Sequence, residues 1–113
     1  MQIVIDDAAG ATARVALMGK LDIQGAEVIA LPLATLSGGK KNIIIDMSGV
    51  SFIASIGIRH LVSAAKALAR RGGTLILISP TDIVAGILTT AGINSIIPMV
   101  GSESEARALV GGA

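Results

Sequence analysis

The chain has 113 residues, 52% of them hydrophobic and 1% aromatic, which suits one domain with an aliphatic core. Nine Lys and Arg against eight Asp and Glu leave a net charge of +1, without the basic excess that nucleic-acid binding draws on. The lack of cysteine excludes a disulfide scaffold and thiol chemistry, and a single histidine, His60, excludes any site built on two imidazoles.

Gln2–Asp6 and Ala13–Met18 are apolar runs on either side of Asp7-Ala8-Ala9-Gly10, the pattern of a β-hairpin. No basic region leads into an apolar run here, so the start does not read as a secretory signal. Gly25–Ser37 reads as a helix stopped by Gly38-Gly39, with Pro32 predicting a kink or a late start. Ile43–Met47 is short, β-branched and apolar, as in a strand buried on both faces, and Ser48-Gly49 is expected to turn the chain.

From Ile56 to Arg71 the period becomes helical: Ile58, Leu61, Val62, Ala65 and Leu68 share one face, and Gly72-Gly73 ends the helix. Thr74–Ile78 is a second buried-type strand. Ser79 and Pro80, with Asp82 following, read as the capped start of a helix that ends near Gly92. Ile96-Ile97 is expected to form a short last strand at an edge, since Pro98 follows. Ser102-Glu103-Ser104-Glu105 reads as a capping box for a final helix through Leu109, and Gly111-Gly112-Ala113 is expected to fray.

The mean hydropathy of +0.79 makes a membrane span worth testing. The uncharged stretch Ile83–Ser102 has a span's length of about 20 residues, but Gly86, Gly92, Pro98 and Gly101 break it. It reads instead as a short helix, a turn and a strand, and no membrane insertion is expected. The order β-β-α-β-α-β-α-(β)-α predicts an α/β domain over residues 1–113 with a mixed sheet of four to five strands packed with about four helices.

No catalytic constellation emerges. Ser55 and His60 are neighbours in sequence but fall on different helix faces, and no acid is placed to orient the imidazole. Ser63-Ala64-Ala65-Lys66 matches S-x-x-K without its companion motifs. No glycine-rich phosphate loop is present, and Asp6-Asp7 reads as turn chemistry. The expectation is a protein that is not an enzyme and carries no metal or cofactor.

The segment Val50–Ile58 joins a buried strand to an amphipathic helix, and Ser55 stands where the cap belongs. One reading makes Ser55 an N-cap, worth about 1 kcal/mol. The other makes it a phosphoacceptor, since a helix amino terminus welcomes a dianion and Arg59 lies one turn on. Gly57 is small enough to let a partner's backbone approach. Met47, Ile53, Ile56 and Ile58 are candidates for an apolar interaction surface.

These residues resemble a STAS domain of the bacterial anti-sigma factor antagonist class, over nearly the whole chain. Met18-Gly19-Lys20-Leu21-Asp22 is similar to the family's segment after the second strand, and Phe52-Ile53-Ala54-Ser55-Ile56-Gly57-Ile58 resembles its F-x-D-S-x-G-L motif. Gly72-Gly73, Ser79-Pro80 and Ala91-Gly92-Ile93 resemble its closing marks. The resemblance implies partner switching in the cytoplasm. The unphosphorylated protein binds an anti-sigma factor that is also a serine kinase, phosphorylation of Ser55 releases it, and a PP2C-type serine phosphatase resets it.

The resemblance further implies a partner surface of Lys20, Leu21 and Asp22 with Ala54, Ile56, Gly57 and Arg59. Ala54 stands where the motif has aspartate, and Ile56 makes the knob more apolar than usual. The alternative reading is a cytoplasmic STAS subunit of a lipid or anion transporter assembly.

Overall fold

Aliphatic, β-branched runs with no charge on either face form the centre of a parallel sheet, because helices must cover both sides of it. In the computed structural model, which describes residues 1–7 and 10–110, Ile43, Ile44 and Ile45 are all fully buried in such a strand. The elements are β1 (Gln2–Asp6), β2 (Thr12–Leu21), α1 (Ile23–Gly39), β3 (Asn42–Ile53), α2 (Ser55–Ala69), β4 (Thr74–Ile78), α3 (Asp82–Thr90), β5 (Met99–Val100) and α4 (Glu103–Leu109). The sheet order is β1-β2-β3-β4-β5; β1 is antiparallel to β2, and the remaining pairs are parallel. The mixed sheet and four helices agree with the α/β expectation.

Alternation along the strands builds two cores. Val15 and Leu17 of β2, Ile43 and Ile45 of β3, and Leu75 and Leu77 of β4 meet Ile29 and Leu33 of α1, Leu61 and Leu68 of α2, and Val84 and Leu88 of α3. The opposite face holds Ile44, Ile76 and Ile78 under Ala106 of α4. That second cover is clasped by ions. Arg14 Nε donates to Glu103 Oε1 at 2.6 Å, Arg14 Nη2 to Asp46 Oδ2 at 3.3 Å, and Arg107 Nη2 to Glu103 Oε2 at 3.2 Å. Buried Asn42 ties three strand starts, donating to Thr12 Oγ1 at 3.3 Å and accepting from Thr74 N at 3.0 Å.

β1, β4 and α4 fall where the pattern places them; the other boundaries move for identifiable reasons. Ser48-Gly49 does not turn the chain. β3 continues to Ile53 through two register shifts against β2, with Ser48 N donating to Asp46 Oδ1 at 2.9 Å. A bulge absorbs the extra residue and leaves the strand running. β2 likewise runs on to Leu21. Pro32 neither delays nor ends α1; the Val28 carbonyl it leaves without a donor lies on a side where Val28 is 43% exposed, within reach of water.

Thr81, not Ser79, caps α3, its hydroxyl accepting from Val84 N at 3.3 Å. Ser79 takes a left-handed φ of 54° and donates to the Gly101 carbonyl at 2.9 Å. Ile96-Ile97 is not a strand. A 3-10 turn at Ile93–Ser95 carries Ile93 and Ile97 into the core, and β5 starts at Met99 after Pro98. Arg71 turns away from its own helix end and donates to the Ser37 and Lys40 carbonyls at the end of α1. Gly73 passes so near the Lys41 carbonyl, which would lie 1.6 Å from a Cβ there, that only glycine fits. The middle of the first hairpin turn and the terminal Gly111-Gly112-Ala113 lie outside the described residues.

Candidate functional site

Each of β2, β3 and β4 runs parallel and feeds a helix, so α1, α2 and α3 begin at one end of the sheet, the end where open α/β sheets place their sites. There the backbone N–H of Ala54 donates to the Leu21 carbonyl at 2.9 Å, joining the loop before α2 to the loop before α1. Asp22 caps α1, its Oδ1 accepting from Gly25 N at 2.9 Å.

Ser55 is not the cap of α2. The extended Ala54, with φ −100° and ψ 166°, takes the cap position, and no side chain accepts from the first turn. Sheet pairing to Leu21 holds Ala54 extended, so the helix starts one residue later than a serine cap would place it. Ser55 is therefore the first helical residue, and it is exposed. Its hydroxyl is free for chemistry, and the N–H groups of the first turn are free of side-chain acceptors.

A cleft of about 590 Å³ opens beside it, with Ser55 and Ile58 of α2 on one side and Asp82, Ile83, Gly86 and Ile87 of α3 on the other. Ile83 is 68% exposed and Ile58 half-buried. Its lining is mostly apolar, Thr90 and Ala91 complete it, and Asp82 and Ser55, each first in its helix, lie at the end where both helices begin. Sequence reasoning gave Asp82 only a helix-start role and passed over Ile83. The available signal was the spacing Ile83, Gly86, Ile87, Thr90, which makes a second face on α3 away from buried Val84 and Leu88.

The remaining candidates divide. Ala54, Ile56 and Arg59 lie around Ser55, and Arg59 is exposed with no carboxylate partner among the described residues. Leu21 is fully buried and is no surface residue. Gly57 is buried as well: a Cβ there would lie 2.6 Å from Leu21 Cγ, so its smallness admits Leu21 of the same chain rather than a partner. Lys20 is exposed but pairs with Phe52, on the sheet face opposite buried Leu21 and Ile53. Met47 and Ile53 are core residues and drop out of the apolar surface; exposed Ile83 stands there beside Ile58, and exposed Phe52 lies with Lys20 on the other sheet face.

His60 is half-buried and lies with Ser63 along a separate cavity of about 310 Å³ between α1 and α2. Among the described residues no group of three His, Asp or Glu is placed to hold a metal ion. No helix among them is long and apolar enough to cross a membrane.

The sequence model of the STAS domain matches residues 5–106. The fold is similar to that of the anti-sigma factor antagonist SpoIIAA in its unphosphorylated form, at 24% identity and TM-score 0.84, over 99% of this chain and 98% of that one. It is similar to the Bacillus cell fate determinant SpoIIAA in the phosphorylated form, at 23% identity and TM-score 0.75, over 96% and 99% of the two chains. It also matches part of the murine Slc26a9 anion transporter, at 18% identity and TM-score 0.76, over 93% of this chain but 18% of the transporter. No curated protein matches by sequence.

Proposed function

The chain belongs to the STAS-domain family, and from that premise we propose that it is a regulatory binding protein working as an anti-sigma factor antagonist by partner switching. In this reading it acts in the bacterial cytoplasm on transcription and performs no catalysis of its own. Its unphosphorylated form docks the α2–α3 cleft on an anti-sigma factor that is also a serine kinase. The kinase transfers the γ-phosphoryl group of ATP to Ser55 Oγ, and the complex separates. A PP2C-type serine phosphatase hydrolyses the phosphate and resets the switch.

The observation that carries the reading is the position of Ser55: exposed, first in its helix, unused as a cap and at the mouth of an apolar cleft. A phosphate there adds about −1.5 to −2 charge. The first-turn N–H groups and Arg59 can hold that dianion without disturbing the fold. A partner seated on Ile58 and Ile83 would have to desolvate it beside Asp82, a like charge in the same cleft. Desolvating a dianion next to a like charge costs several kcal/mol, enough to dissolve a micromolar complex.

Affinity capture from the host's lysate tests this with wild type, Ser55→Ala and Ser55→Asp. Wild type and Ser55→Ala should retain an ATP-binding serine kinase, and Ser55→Asp should lose it. Retention of that kinase by Ser55→Asp would refute the switch. A second reading, a subunit of a lipid or anion transporter assembly, draws on Ala54 in place of the motif acid and on the occurrence of this fold within a transporter. Recovery of a permease with all three baits would favour it.

A further inference from the structure

We propose that this protein pairs with a second copy of itself, antiparallel, through the outer edge of β1, so that two five-stranded sheets join into one. β1 is the edge strand of the sheet. Of the usual protections of an edge it has a single charge at its end, Asp6: its five residues, Gln2-Ile3-Val4-Ile5-Asp6, include no lysine and no proline, and its register with β2 is free of bulges. Val4 is 57% and Ile5 38% exposed. The strand is held ready, because Lys40 Nζ donates to the Asp7 and Gly10 carbonyls and pins the end of the hairpin to α1.

The residues of β1 also say which partner fits. Antiparallel pairing centred on Val4 sets Val4 against Val4, Ile3 against Ile5 and Gln2 against Asp6. The side-chain amide of Gln2 then meets the Asp6 carboxylate at both ends, and every apolar side chain meets an apolar one. Ile3 already packs against the main core, so the Ile5 brought opposite it is covered at the core's margin. Other arrangements are worse. Moving the centre to Ile3 sets the Gln2 amide against apolar Val4, moving it to Ile5 sets Asp6 against Val4, and moving it to Asp6 sets Asp6 against itself. Parallel in-register pairing also stacks Asp6 on Asp6. Like charges directly opposite are destabilising, and exposed register choices are otherwise loose, so this self-complementarity fixes both partner and register. β1 contributes no residue to the Ser55 cleft, so the inference stands apart from the switch, and a dimer presents two clefts.

The test is the mass in solution, by sedimentation equilibrium across micromolar to millimolar protein, of wild type, Val4→Lys, Val4→Glu and the control Leu31→Lys. Val4 and Leu31 are both exposed, so all three variants should keep the wild-type circular dichroism. Wild type and Leu31→Lys should approach twice the 11.3 kDa chain mass. Either charged variant at position 4 alone should raise the dimer dissociation constant at least about tenfold, by setting like charges against each other on the dyad. An equimolar mixture of the Lys and Glu variants should recover the dimer. A wild type that stays monomeric throughout, a dimer that survives Val4→Lys, a mixture that stays monomeric, or disruption by Leu31→Lys each overturns the proposal.

Discussion

Ser55 sits one residue inside α2, and that single step separates the phosphoacceptor role proposed for it from a capping role in folding. A capping serine satisfies a backbone N–H, and losing it costs about 1 kcal/mol. Ser55 makes no such bond, so Ser55→Ala should change the free energy of urea unfolding by less than about 0.5 kcal/mol. Asp22, which does cap α1, should cost about 1 kcal/mol on replacement by Ala. The reverse substitution is more telling. Ala54→Asp places an acceptor at the vacant cap of α2 and should stabilise by roughly 1 kcal/mol. Equal urea midpoints for wild type and Ala54→Asp would mean that the loop cannot present a carboxylate to the first turn. Gly57 shows the opposite economy of space: Gly57→Ala drives a methyl group against Leu21 and should cost about 1–3 kcal/mol in the same experiment.

At the scale of elements, local pattern read helices and strands well where hydrophobic period alone decides them, as in β4 and α4. It failed where pairing decides. Ser48-Gly49 carries every local mark of a turn, yet β2 beside it keeps β3 extended through a bulge, and that pairing partner is invisible in the segment's own sequence. The same extension makes Ala54 the cap. Ile96-Ile97 is apolar enough for a strand, but Gly92, with φ of 79°, and the turn after it carry Ile97 into the core and leave Ile96 exposed.

α4 depends on a different local device, the clasp of Arg14 with Glu103 and Asp46. The hydrogen bond from Arg14 holds the Glu103 carboxyl below the usual carboxylate range against a smaller cost of burial, with help from Arg107. For Asp46, burial pushes upward but is outweighed by the Ser48 N–H and by Arg14, so it too is lowered. Carboxyls lowered in the folded state stabilise it fully above the unfolded-chain value of about 4, and lose that contribution as pH falls through their folded values. With Glu103 39% exposed, solvent screening limits the clasp to about 1 kcal/mol. Between pH 7 and pH 3, wild type should therefore lose more stability than Arg14→Met, and the amides of Ala106–Leu109 should exchange faster at the acid end. Parallel pH profiles for the two proteins would assign α4 docking to Ala106 and its apolar neighbours alone.

For the whole molecule, topology was readable because alternating buried strands and amphipathic helices admit few arrangements. Which apolar residues stay in water was not, since Met47 and Ile83 look alike in sequence and differ only by the layer they meet. Net charge is the global property that was legible from composition, and it bears on the switch. A chain at +1 that gains about −2 at one serine becomes net negative at pH 7, so its isoelectric point must cross neutrality. Native isoelectric focusing after incubation with ATP and the kinase captured by the protein should move a fraction of wild type from above pH 7 to below it. Ser55→Ala should stay in place under the same treatment, and phosphatase should return the shifted band. If Ser55→Ala shifted equally, the phosphate would lie on another residue. Ser55 would then be a docking residue at the cleft mouth, and control would pass to the true acceptor.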